Sequence, residues 1–386
     1  MPTRRKFAPL PLRRQRAPSS PRRPPQTKER QPALFQYVVR RLLLMIPTLL
    51  MVAFLTFSMV RCAPGDPVSQ KFAGGGDSAM QGGQDMEALR EQFAKRHLLD
   101  ANLFHAFFHY LGPFDMTEEG HRFFGGTHAK PWNGLLSGDL GVVYLREHEN
   151  IATEINKRLR VTVPFALCAV LLAYLIAPAL GMYSAVRRGT AFDTATTVML
   201  FIVYAIPAFW AALLLQISFG RYGLDLLPVI GLRSPDYAQM SSWGKFKDIV
   251  SHSVLPLVCL SYGGLAYLSR QMRVGVIDTI RQDYVRTAKA KGLDERVVIL
   301  KHVLRNSLIP IITLFATVLP TLIGGSVIIE RIFDLPGMGK YAFEALLNRE
   351  YNIIMAVTLF VAIMNMFGIL LSDILYAVVD PRIRYS

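Results

Sequence analysis

Apolar residues in this chain gather into long uninterrupted blocks, separated by polar connections of very unequal length. Six blocks can be drawn: Leu42 to Val60, Val161 to Val186, Ala195 to Ser218, Ser253 to Ser269, Ile311 to Ile329 and Asn352 to Val379. Each is at or near the ~20 residues that a helix needs to cross about 30 Å of hydrocarbon. The pattern predicts an all-α, polytopic membrane protein with six transmembrane helices. The longest polar connection, residues 61–160, is expected to be one extramembrane segment between the first two helices, with a helix from Met86 to His97. Residues 1–32 carry eight prolines and ten Lys+Arg against one acid. Such a composition cannot bury a core, so residues 1–36 are read as a disordered basic tail.

The formal charge of +15 would suit a nucleic-acid partner until it is sorted by connection. Residues 1–41, 187–194, 270–309 and 380–386 hold 25 Lys+Arg against 7 Asp+Glu, whereas 61–160, 219–252 and 330–351 hold 18 against 20. Cationic residues are retained on the cytoplasmic side. Both termini and the 270–309 loop are therefore expected in the cytoplasm, and residues 61–160 outside. The basic tail lacks interleaved aromatics and a folded module, which argues against a nucleic-acid partner. Attraction to anionic membrane lipids, ~1 kcal/mol per cationic residue near the surface, accounts for it.

The 270–309 connection carries the densest pattern. Ile277, Ile280, Tyr284 and Ala288 share one arc of a 3.6-residue helix, with Asp278, Arg286 and Lys289 outside it. That predicts a short amphipathic helix, ended by Gly292 in the left-handed conformation and followed by a second helix capped by Asp294. A helix-Gly-helix elbow results. The run YVRTAKAKGL (284–293), followed by His302, Arg305, Asn306 and Pro310, closely resembles the cytoplasmic EAA loop of ABC-importer permeases. The variant is that of the dipeptide, oligopeptide and nickel branch. Arg286, Thr287 and Ala288 stand where the general motif has Glu-Ala-Ala, a departure that is usual in this branch.

Shorter blocks carry the same resemblance: RRLL (40–43) with APGDP (63–67), GDLG (138–141), IPAFW (206–210), FDLPGMG (333–339) and VDPRI (379–383). It is weakest over residues 61–137. The resemblance implies an ABC importer type I permease fold in the plasma (inner) membrane, carrying peptides or related small solutes. Tyr284, Arg286, Thr287, Ala288, Gly292, Leu293, His302, Asn306 and Pro310 would then belong to an ATPase-coupling loop, residues 278–307 with its flank. The implied partners are ABC ATPase subunits, a second homologous permease subunit and an extracytoplasmic solute-binding protein. No cofactor is implied. The expected organisation is a tail (1–36), a first transmembrane helix (37–60), an extracytoplasmic segment (61–160), a permease core (161–379) and a cytoplasmic end (380–386).

Several chemistries lack their residues. Gly339 and Lys340 are followed by Tyr341, and Asp334 stands where the first glycine of a Walker A loop would fall. The six blocks contain no Lys, Arg or Glu and only Asp373 among the acids, so no nucleophile-base pair or carboxylate dyad can be assembled. No enzymatic activity is expected of this chain. A secondary transporter would lack ionisable carriers in the bilayer, and a channel would leave the elaborate 282–310 segment without a use. His105 and His109 could present two imidazoles on one helix face, but lack a third ligand in register. Interleaved with Phe104, Phe107 and Phe108, they read as a half-buried aromatic helix. Cys62, Cys168 and Cys259 form no CxxC pair and read as small apolar residues. Pro164, Pro178 and Pro207 are expected to interrupt the second and third spans, and Gly324, Gly325 and Ser326 to let the fifth approach a neighbour closely.

Overall fold

The computed structural model describes residues 34–64, 83–96, 98–99, 101–112, 134–143, 149–220, 223–318 and 325–379. The expected basic tail up to residue 33 and the chain end from 380 lie outside the described residues. So do residues 319–324, in the middle of the fifth apolar block.

Helices dominate, and the described residues form no strand beyond an isolated bridge between Val142 and Asn150. The first helix, α1 (Leu34–Cys62), begins three residues inside the expected tail. Two shorter helices follow, α2 (Gly83–Arg96) and α3 (Leu103–Leu111). The long α4 (Ile151–Val186) leads through a tight turn to α5 (Ala191–Ala205) and α6 (Ala208–Phe219). Next comes α7 (Ser242–Ile280), 39 residues and, at 1.5 Å per residue, about 58 Å long. Among the described residues, four helices are long and apolar enough to cross a membrane: α1, α4, α7 and α14 (Tyr351–Val379). The pair α5 and α6 is bent by 98° and would count as one further span.

Two expectations need correction here. Pro164 and Pro178 sit inside a continuous α4, and Pro256 inside a continuous α7. These two helices pack so closely that a Cβ on Gly181 would lie 2.8 Å from the Met272 Cβ, and close neighbours allow a helix to continue past a proline. Of the three prolines expected to interrupt a span, only Pro207 does so. There the Tyr262 hydroxyl takes up the Ile206 carbonyl at 2.6 Å, and Gln216 Nε2 anchors α6 to the carbonyls of Ile332 and Val229 at 2.7 and 3.0 Å. The second correction concerns the polar connection expected to begin directly after the fourth apolar block, at residue 270. The helix of that block instead runs on to Ile280, and on this extension Arg273 pairs with the buried Asp193.

Side-chain packing joins the remaining elements. Phe107 on α3 meets Phe54 and Phe57 of α1 edge-on at 5.1 and 5.5 Å, with Met355 of α14 in the same cluster. His105 and His109 are half-buried on that helix. Asp373 of α14 accepts from the Tyr37 hydroxyl at 2.8 Å and pairs with Arg41 at 3.0 Å, which ties α1 to α14 at one end.

The 333–339 turn shows why its glycines are needed. It connects α12 (Val327–Ile332) to α13 (Met338–Leu347) and wraps the buried Glu330 carboxylate. That carboxylate accepts from Thr162 Oγ1 on α4 and from the Lys340 N–H in the first turn of α13, each at 2.9 Å. A Cβ on Gly337 would sit 2.6 Å from Glu330 Oε1. Gly325 also approaches Glu330, but at a φ of +67° ahead of α12 rather than inside a helix, and Ser326 is the N-cap of α12.

Candidate coupling elbow

The long α7 stops at Arg281, and α8 (Asp283–Ala290) starts two residues later. This break resets the helical phase. Ile277 and Ile280 therefore belong to α7, not to one helix with Tyr284 and Ala288 as the periodicity suggested. On α8 the buried positions are Val285 and Ala288, while Tyr284 is 42% exposed.

Gly292 has a φ of +75°, as its place after a helix end required. Its N–H reaches the Lys289 carbonyl at 3.0 Å, and the Leu293 N–H the Ala288 carbonyl at 3.5 Å. Together these bonds form a Schellman closure that satisfies the last carbonyls of α8. Asp294 then accepts from the Arg296 N–H at 3.2 Å and caps α9 (Glu295–Val297). The helix continues through a π-wound stretch, Val298–Val303, into α10 (Leu304–Ser307), and α11 (Ile309–Val318) follows. One extra residue per turn in the π stretch turns Val298 and Val303 to the same side, and both are fully buried. Pro310 is exposed in the first turn of α11, where a missing N–H costs the helix nothing.

The elbow is thus anchored on one side and open on the other. Val285, Ala288, Val298 and Val303 pack into one cluster with Ala177, Ala185, Met272 and Val276 of α4 and α7. Outward lie Tyr284, Leu293, Val297 and Leu300, exposed by 42, 43, 42 and 56%, among the exposed Arg286, Thr287, Lys289 and Lys291. The outer face is therefore an apolar ledge rimmed by cations. His302 is half-buried in the π stretch. Asn306 Nδ2 donates to the Tyr284 hydroxyl at 2.6 Å, which brings two of the sequence-derived residues together across the elbow. Arg286 reaches only its own helix, pairing with Asp283 at 3.4 Å, and Thr287 Oγ1 donates to the Asp283 carbonyl.

Sequence reasoning missed the group that fixes the base of this elbow. Arg273 of α7 forms a two-pronged pair with Asp193 in the first turn of α5, Nε to Oδ1 at 2.7 Å and a terminal nitrogen to Oδ2 at 2.8 Å. Ser184 Oγ donates to the same carboxylate at 2.5 Å and the Gly189 N–H at 3.0 Å. The spacing of Thr190 and Asp193 is a helix-start signal that was open to reading, since Thr190 Oγ1 accepts from the Asp193 N–H in return. Nothing in the sequence marked Arg273 as its partner.

Residues 177–385, the stretch that contains α5 to α14, match the family described as binding-protein-dependent transport system inner membrane component. The oligopeptide transport system permease protein AppB of Bacillus subtilis is 34% identical over 90% of this chain and 99% of its own length. The dipeptide transport system permease protein DppB of Escherichia coli K12 is 30% identical over 92% and 100%. The peptidoglycan transport system permease protein YejB of Agrobacterium fabrum is 33% identical over 91% and 98%. The chain belongs to the binding-protein-dependent transport system inner membrane component family, the permeases of ABC importers.

Proposed function

We propose that this chain forms part of the translocation pathway of an ABC importer for peptides or related small solutes, and takes its energy from a separate ATPase through the elbow. The observation that carries this reading is the division of labour at residues 283–307. One face is locked into α4 and α7, and the other presents Tyr284, Leu293, Val297 and Leu300 to a partner. A ledge seated rigidly on the two longest helices moves them when it is moved. In this reading Tyr284, Arg286, Thr287, Ala288, Gly292, Leu293, His302, Asn306 and Pro310 make or shape the docking surface. The names of the similar proteins support peptides or peptide-bearing glycans as cargo. Also belonging to the reading are six transmembrane helices, the fifth running through residues 311–329, an extracytoplasmic 61–160 segment, and both termini in the cytoplasm of a cell with this chain in its inner membrane. A second homologous permease and an external solute-binding protein complete the assembly.

Reconstituted vesicles containing the whole assembly test this. Uptake of a labelled peptide should require ATP on the elbow side and the binding protein on the other. Uptake that persists without ATP and follows only an ion gradient would replace this reading with a secondary transporter. Rapid labelling of an Asp294→Cys variant by an impermeant reagent outside intact cells would reverse the orientation.

A further inference from the structure

The break between α5 and α6 leaves backbone groups open at a depth where lipid offers them no partner. Two rulers give that depth, both starting from the Asp193–Arg273 pair. From Asp193 along α5 to Ile206 is about 20 Å, and from Arg273 back along α7 to Tyr262 about 16 Å, at 1.5 Å per residue. The Tyr262 hydroxyl donates to the Ile206 carbonyl at 2.6 Å, so both rulers end at one point. With the charged pair at the edge of a hydrocarbon layer about 30 Å thick, the break lies just past its middle.

There Pro207 contributes no N–H, and α6 starts without a side-chain cap, which leaves the first-turn N–H groups of Ala208, Phe209 and Trp210 without intrahelical acceptors. Tyr204, Phe209 and Trp210 are exposed by 61, 48 and 48%, and a Cβ on Gly263, beside Tyr262, would meet nothing within 4 Å. Non-helical backbone at this depth survives only where protein covers it or water reaches it. The described residues of this chain leave it uncovered. A second subunit packed over it would strip those N–H groups of solvent, at ~1–3 kcal/mol for each one left unpaired, whereas water satisfies them directly.

We propose that the break, from Tyr204 to Trp210, lines the water-filled passage that carries a hydrated polar solute across the membrane. The inference rests on the permease reading above, and the test separates the two. In the complete assembly, with Cys62, Cys168 and Cys259 replaced by alanine, ATP-driven uptake is measured first, and its absence counts against the permease reading. Single cysteines are then introduced as Tyr204→Cys, Ala208→Cys and, for a comparison on the exposed side of α1, Met51→Cys. A membrane-impermeant, cationic thiol reagent should modify the first two more than about tenfold faster than the third, since only water carries the reagent to mid-membrane. Uptake should fall in step with modification. Equally slow modification at all three positions would place the break against lipid. Fast modification in the isolated subunit that disappears in the assembly would make it a subunit interface. Either result overturns the proposal, and two positions guard against one variant failing to assemble.

Discussion

The Asn306 carboxamide donates to the Tyr284 hydroxyl across 2.6 Å, joining α10 to α8 outside the apolar cluster that anchors both. Burial of Val285 and Val298 fixes where the elbow sits, but packing of small aliphatic side chains leaves rotation about the contact soft. A polar strut at its outer rim removes that freedom. Both groups are exposed, so the bond competes with water and is worth ~0.5–1.5 kcal/mol. Its consequence lies in the direction of α8 rather than in stability.

Asn306→Ala and Tyr284→Phe should each lower substrate-stimulated ATP hydrolysis by up to about fivefold, the population shift that ~1 kcal/mol allows. The double variant should lose no more than either single one, because one bond is removed in all three. Thermal unfolding of the solubilised subunit should stay nearly unchanged. Unaltered coupling in both single variants would strip the strut of any role.

Gly292 gives a sharper test. Nothing lies within 4 Å of where its Cβ would stand, so a side chain meets no neighbour and the whole penalty is the φ of +75°. Gly292→Val should incur the steric cost of the left-handed region, ~1–2 kcal/mol, or swing α9 out of line. Gly292→Asn, which tolerates that region, should restore most coupling. Both variants should insert normally. Equal ATPase activity in the valine and asparagine variants would show that the conformation at this residue does not matter.

The link of Tyr37 and Arg41 to Asp373 bears on the basic N-terminal segment. Helix α1 is held to α14 by residues from 37 onward. Deleting residues 2–30 should therefore leave assembly and uptake intact, while Asp373→Ala should destabilise the subunit by ~1 kcal/mol, as removal of a half-exposed ion pair and hydrogen bond does. Loss of uptake in a normally assembled truncation would reveal a direct function for the deleted segment.

What could be read in the sequence was whatever depended on short-range chemistry. Gly292 and Asp294 announce a helix end and a helix start, and both adopt those roles. Four of the six apolar blocks lie within uninterrupted helices of membrane-crossing length, and a fifth within the bent α5 and α6. What failed depended on distant partners. Pro164 and Pro207 look alike in sequence, yet only Pro207 has a Tyr262 hydroxyl waiting for the carbonyl before it. Arg270 and Arg273 look like the start of a polar loop, yet both lie within α7, where Arg270 stacks over Phe201 and Arg273 pairs with Asp193, 80 residues away. The phase of α8 was misjudged because the stop at Arg281 leaves no strong breaker in the sequence.

Glu330 yields the prediction with the largest expected effect. The residue is 5% exposed, and its carboxylate serves as the acceptor around which three segments converge. Thr162 Oγ1 on α4 donates to it and in turn accepts from the Met338 N–H at 2.8 Å, while the Lys340 N–H donates to the second oxygen. Two first-turn donors of α13 are thereby satisfied, and the negative charge sits at the positive end of that helix. Glu330→Ala would orphan buried donors at ~1–3 kcal/mol each, for a total of about 3 kcal/mol or more. Glu330→Gln keeps the shape but turns an NH₂ towards a donor, so it should still cost ~1–3 kcal/mol. Thr162→Ser should be mild and Thr162→Ala should not, and Thr162→Ala combined with Glu330→Gln should cost less than their sum, since they break a shared network. The measurement is the unfolding temperature of the detergent-solubilised assembly. A Glu330→Gln variant as stable as the parent would mean that shape alone holds the 333–339 turn against α4, and that the buried charge contributes nothing to it.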